Sequence, residues 1–200
     1  MIRVALLAYD GVEALDFAGP FEVFTTAARV QARSAPGEQL FEVVPVAARP
    51  GPVRARAGLV LVPEATVETV GAVDVLVVPG GVVDDVRADP AVIGWLADTH
   101  ASTRLTASVC TGVFLLAQAG IVRSGPVTTH WEDHGELSTE FPSLEVLAER
   151  RWVRQGRVFT SAGISAGIDL SLHLVGLLAG RELAVRTARQ LDYPMPPELD

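Results

Sequence analysis

At 200 residues, with 49% hydrophobic and 20% charged side chains, the chain can bury one substantial core, and a single domain over residues 1–200 is expected. A formal net charge of −8 argues against nucleic acid or an anionic membrane surface as a partner. The one cysteine, Cys110, excludes an internal disulfide and a multi-cysteine zinc site. No run approaches the ~18 apolar residues of a membrane span, so a cytoplasmic location is expected.

Residues 2–8 (IRVALLA) form a nearly continuous apolar run, as a strand buried on both faces requires, and read as a first strand rather than a leader peptide. After the turn at Asp10-Gly11, residues 13–30 carry Leu15, Phe17, Phe21 and Phe24 at helical spacing. Residues 41–47 read as a second strand. ARPGPVRAR follows as a polar connection, and GLVLVPEAT as a strand and turn. Residues 73–78 (VDVLVV) form another buried strand, stopped by Pro79-Gly80-Gly81. Asp89-Pro90 starts a helix over 91–101. A strand over 104–109 and a helix over 111–121 come next. A hairpin of 144–153 and 157–160 around Gln155-Gly156 is predicted, then helices near 165–179 and 181–191, the last ending before Pro194-Met195-Pro196-Pro197. Buried strands alternating with helices predict an α/β fold, a mainly parallel central sheet flanked by helices. Ligands of such sheets bind where strands end at their carboxyl side. That rule selects three places: after Ala8, after Val78 and after Val109.

The third place is the cysteine. The pattern is strand-like to Val109 and helical from Thr111, with Val113, Leu116, Ala117 and Ile121 apolar. The switch falls on Cys110, between the small residues Ser108 and Gly112, in the manner of a strand–nucleophile–helix elbow. A thiol at a helix N-terminus meets unpaired N–H groups and the positive end of the dipole, which favour thiolate. Free cysteine is also among the most buried residue types. This window alone therefore leaves a reactive thiol and a core residue both open.

Asp16, in Ala14-Leu15-Asp16-Phe17, is either a first-turn helix acid or a partly buried carboxyl with a raised pKa, fit for general acid work. Gly80-Gly81 reads as a tight turn and, without excluding that, as a place where backbone N–H groups could face a ligand. His130 and His134 are spaced to share a helix face, yet Trp131 stands where a zincin helix needs Glu, and no metal or other cofactor is expected. His130 could assist a nearby thiol. His173 reads as a hydrogen-bonded core histidine, and Arg150, Arg151, Arg154 and Arg157 as a solvated face.

Together LDFAGPFEVF, VVPGG, SVCTGVFLLAQAGI, VTTHW, SAGISAGIDLSLHLV and RQLDYPMPP resemble, in order, the ThiJ/PfpI superfamily of the class I glutamine amidotransferase-like (flavodoxin-like) fold. LD-x-x-GP, SVCTG, TTHW, GI-x-AGID and the Tyr-Pro-x-Pro-Pro ending resemble its isocyanide hydratase branch most. The resemblance implies Cys110 as nucleophile, Asp16 as its acidic partner and Thr111 as the residue that orients it. Gly80 and Gly81 would line the pocket with Ile164, and His130 matches a histidine of variable role. Thr111 replaces the histidine that follows the nucleophile in the family's peptidases, so peptidase activity is not expected. Asp16, where many relatives carry Glu, favours the hydratase branch over glyoxalases and deglycases. The chain stops soon after its proline-rich motif, so neither a helical extension nor a DNA-binding domain is expected. The resemblance implies a homodimer acting on a small apolar molecule between mostly apolar walls. The alternatives are a non-enzymatic redox or ligand sensor, and a glyoxalase or deglycase acting on α-oxoaldehydes.

Overall fold

The computed structural model describes residues 1–194. The first half runs β1 (Ile2–Leu7), α1 (Ala14–Ser34), β2 (Phe41–Ala47), β3 (Val53–Arg54), β4 (Val60–Leu61), β5 (Ala65–Thr66), β6 (Val75–Val78), α2 (Asp84–Arg87) and α3 (Pro90–Ser102). The second runs β7 (Leu105–Val109), α4 (Gly112–Gln118), β8 (Gly125–Val127), α5 (His134–Glu140), β9 (Leu144–Val146), β10 (Trp152–Gln155), β11 (Val158–Ser161), α6 (Ala166–Ala179) and α7 (Arg181–Gln190). No helix among the described residues is long and apolar enough to cross a membrane.

Seven strands form one sheet in the order β10-β11-β7-β6-β1-β2-β5, parallel throughout except for the β10–β11 hairpin at the edge. β1 lies between β2 and β6, and all four residues of β6 are buried. Covered on both faces, these strands need continuous apolar sequence, which is why they read so plainly. Because β7, β6 and β1 are neighbours and parallel, the three places selected by the strand-end rule lie side by side on one rim. The mainly parallel α/β fold is therefore as anticipated.

Some boundaries differ. The strand expected over 144–153 is two: β9 pairs in parallel with β8 in a separate two-stranded sheet, and β10 pairs with β11 around Gln155-Gly156 as predicted. The polar connection ARPGPVRAR contains β3, which pairs with β4 to form a short hairpin beside the rim. The arginines of 150–157 are not one solvated face. Arg151 is paired with Asp169, whose other oxygen accepts from the Tyr193 hydroxyl at 2.8 Å. Arg157 donates to the Thr103 carbonyl. The His173 ring packs 4.2 Å from Trp152, centroid to centroid. Of the proline-rich ending, Met195, Pro196 and Pro197 lie outside the described residues.

Candidate active site

Cys110 is the hinge between β7 and α4, with a left-handed φ of 57°. Such a conformation costs a non-glycine residue about 1–3 kcal/mol and persists only where its surroundings fix it. Here the Cys110 N–H donates to the Ser161 carbonyl at 3.1 Å, and its own carbonyl accepts from Thr129 Oγ1 at 2.9 Å. The β11 end and the loop after β8 thus clamp the elbow that the sequence predicted. The side chain is 7% exposed, so Cys110 is both elbow and buried.

Asp16, in the first turn of α1, is wholly buried. Its Oδ2 accepts from the Gly80 N–H at 3.1 Å, while Oδ1 completes no hydrogen bond of good geometry. The Cys110 thiol and the Ile164 N–H also face this carboxyl. Burial pushes its pKa up to about 7, against the opposing pull of the donors from Cys110, Gly80 and Ile164, and Glu13 adds a smaller upward push. Asp16 is thus both a first-turn acid of α1 and a buried carboxyl whose pKa is raised.

The helix terminus that favours thiolate at Cys110 is opposed by the surroundings of the sulfur. Burial pushes the thiol up to about 12, and the charge of Asp16 acts in the same direction. The Thr111 N–H opposes both and loses. A helix terminus stabilises an anion by typically 0.3–1 kcal/mol, whereas burying a charge costs several. The short α4 does not outweigh that dehydration, and the net push on the thiol is upward.

Of the two glycines expected to line the pocket, Gly81 does and Gly80 does not. Each N–H is spent inside the protein, Gly80 on Asp16 and Gly81 on Thr111 Oγ1 at 2.8 Å. The Thr111 hydroxyl donates back to the Gly81 carbonyl at 2.9 Å, locking α4 to the loop after β6. Gly81 lines the cavity at Cys110, whereas Gly80 stands behind Asp16 rather than on the wall. A Cβ at Gly80 would sit 2.5 Å from Thr111 N and 2.9 Å from Asp16 Oδ2. The carbonyl on the other side of the Gly80 peptide, that of Pro79, accepts from the Tyr9 hydroxyl at 3.0 Å. Tyr9 therefore buttresses the peptide that holds Asp16.

The cavity over Cys110 measures about 150 Å³ and is joined on its walls by Thr111, Gly81, His130 and Ile164, as the sequence anticipated. Ile164 reaches it from a left-handed turn (φ 53°) between β11 and α6. His130 caps the turn Trp131–Asp133 by accepting the Glu132 N–H at 3.4 Å, and none of the hydrogen bonds among the described residues joins it to Cys110. His134 instead meets the Thr129 carbonyl at 3.2 Å, so the two imidazoles serve separate backbone groups. Larger cavities exist, one of about 490 Å³ sharing His130 and Ile164. The smaller one is the candidate site for its chemistry, not its size.

Its walls are not mostly apolar, contrary to expectation: Glu13, Arg56, Glu132 and Asp133 also line it. Sequence reasoning missed these four and Tyr9. Glu13 lies one turn before Asp16, and Glu132-Asp133 follow His130 directly, so both carried a positional signal. Arg56 carried none, because only the β3–β4 hairpin brings it to the rim.

A model of the DJ-1/PfpI family matches residues 2–177 of the chain. Among curated proteins, isonitrile hydratase of Pseudomonas putida is 33% identical over 199 residues, covering 98% of this chain and 81% of that protein. The HTH-type transcriptional regulator GbdR of Pseudomonas aeruginosa is 31% identical over 136 residues, which span 68% of this chain and 37% of the regulator. Among solved structures, a ThiJ/PfpI family protein from Pseudomonas syringae superposes with a TM-score of 0.84 at 30% identity, covering 98% of this chain and 77% of that one. Motifs, sheet order, elbow and family match agree, and the chain belongs to the DJ-1/PfpI family.

Proposed function

We propose that the protein hydrates a small isocyanide, R–N≡C, to the N-substituted formamide. The observation that carries the proposal is the wholly buried Asp16 carboxyl, its pKa pushed up to about 7, facing the Cys110 thiol at a strand–helix elbow. An acid–base group poised near the working pH can both take a proton and return it. Ionised Asp16 removes the thiol proton as sulfur attacks the terminal carbon, then delivers that proton to the same carbon. The product is a thioimidate, Cys110–S–CH=N–R. Asp16, again ionised, takes a proton from water as the oxygen adds to this carbon and passes it to nitrogen. The carbon–sulfur bond then breaks, the hydroxyl proton goes by way of Asp16 to sulfur, and R–NH–CHO leaves. Pairing the thiol with a base matters here, since a thiol held near 12 is almost never ionised unaided. Thr111 holds the elbow in register, its N–H directed at sulfur and its hydroxyl fixed on Gly81. The likeness to isonitrile hydratase over nearly the whole chain supports this chemistry.

The sensor alternative draws support from the regulator likeness. Oxidation, however, follows thiolate character and exposure, and Cys110 has little of either. The glyoxalase and deglycase alternative has no feature of its own in the site. The test is to incubate purified protein with an alkyl isocyanide and measure formamide by mass spectrometry, with methylglyoxal as the competing substrate. Formamide production is expected, abolished in Cys110→Ala and reduced at least a hundredfold in Asp16→Asn. Turnover that survives Cys110→Ala would rule the mechanism out.

A further inference from the structure

The mouth of the Cys110 cavity is acidic, which neither the family motifs nor the proposed chemistry requires. Three carboxylates and one guanidinium line it: Glu13, Glu132, Asp133 and Arg56. Arg56 lies 4.0 Å from Glu13 and offsets that charge. Among the described residues the ion-pair contacts of Glu132 and Asp133 are with His130, at 3.7 and 3.5 Å from Nδ1. Both sit in the turn that His130 caps, so the fold holds them beside the wall that the ring forms. Asp133 and Glu13 are just over a quarter exposed, which limits the screening of their charges by solvent. Their reach extends to the reacting groups: Asp133 acts on the Cys110 thiol, and Glu13 on the Asp16 carboxyl. A cleft lined by one sign of charge and walled by protein concentrates ions of the opposite sign and repels its own.

The geometry points to a charge filter: the site selects small electrophiles whose substituent is cationic, accepts neutral ones and rejects carboxylates. The reacting carbon enters the 150 Å³ cavity, and the substituent stays at the mouth among Glu13, Glu132 and Asp133. For substrates this rests on the isocyanide reading and narrows it to isocyanides bearing a basic amine, ahead of alkyl isocyanides and isocyano acids.

Two measurements test it. The first needs no turnover: Cys110 is modified with methanethiosulfonates of matched size, one carrying a trimethylammonium group and one a sulfonate. The ratio of their rates cancels the ionisation of the thiol, and free cysteine gives the reference ratio. The protein is expected to favour the cationic reagent at least fivefold more than free cysteine does. That excess should fall at least threefold in the Glu132→Gln/Asp133→Asn double variant, and likewise when the unaltered protein is moved from low to high salt. A ratio equal to that of free cysteine, or one indifferent to salt, overturns the filter. The second compares kcat/KM for 3-dimethylaminopropyl isocyanide, a butyl isocyanide and isocyanoacetate, expected in that descending order. An isocyanoacetate rate equal to or above the others overturns it too. Modification that is charge-selective with no isocyanide hydrated leaves the filter standing and removes the hydratase reading.

Discussion

Replacing Asp16 by Asn should make the protein more stable above neutral pH, although it removes a residue the proposed reaction needs. The carboxyl is raised from 3.8 to about 7, chiefly by burial. An acid whose pKa is higher folded than unfolded stabilises the fold while protonated and withdraws that stability as it ionises. The contribution is therefore intact below pH 3.8, declines between there and about pH 7, and levels off above. At 1.36 kcal/mol for each pH unit the plateau amounts to ~4 kcal/mol. Asparagine has the shape of the protonated acid, can still accept from Gly80 N–H at Oδ, and never ionises. Urea unfolding of both proteins between pH 4 and pH 8.5 is the assay, because every other titration is common to the pair and cancels in the difference. The advantage of Asp16→Asn should be smallest near pH 4 and grow by roughly 2–4 kcal/mol by pH 8. A difference that stays flat across this range would refute the raised carboxyl, and with it the acid–base role. The same substitution removes a charge that raises the Cys110 thiol, so alkylation of Cys110 at a fixed alkaline pH should become faster.

Other perturbations separate positioning from chemistry. Gly80→Ala places a Cβ against the Thr111 backbone nitrogen and Asp16 Oδ2. Since backbone cannot yield as a flexible side chain can, a loss of about 1–3 kcal/mol in urea unfolding is expected, and a loss under 0.5 kcal/mol would contradict the packing. Tyr9→Phe leaves the Pro79 carbonyl without its donor. Thermal unfolding should register about 1–3 kcal/mol for that unsatisfied buried acceptor. Burial, then the Asp169 hydrogen bond and charge, raises the Tyr193 phenol. In Asp169→Asn the phenolate absorbance should therefore appear at lower pH than in the unaltered protein, and an unmoved titration would exclude the contact.

What could be read from sequence, and what could not, divides by how local the cause is. β1 and β6 were legible because strands covered on both faces must be nearly apolar throughout, and β7 because its short uncharged run, LTASV, leads into a helical pattern. The elbow was legible because one residue carried the change from strand to helix pattern. β8 and β9, three residues each, and β3 and β4, two each, hold too little sequence to show a period and exist through their pairing partners. Arg151 looked like a surface charge and Asp169 lies 18 residues on; only the packing of α6 beside β10 joins them to Tyr193. At the cysteine the two scales collide. The helix terminus is a local feature and correctly pointed to an N–H directed at sulfur. The dehydration that outweighs it comes from the burial of Cys110 in the assembled rim, beside Asp16 of α1 and Ile164 of the β11–α6 turn. Nothing within ten residues of Cys110 records that burial, nor that the turn after His130 sets two carboxylates at the entrance. A motif can therefore point to Cys110 and Asp16, whereas the protonation state and the charge of the approach belong to the assembled rim. Those two properties decide whether Cys110 waits as thiol or thiolate, and which substituents reach it.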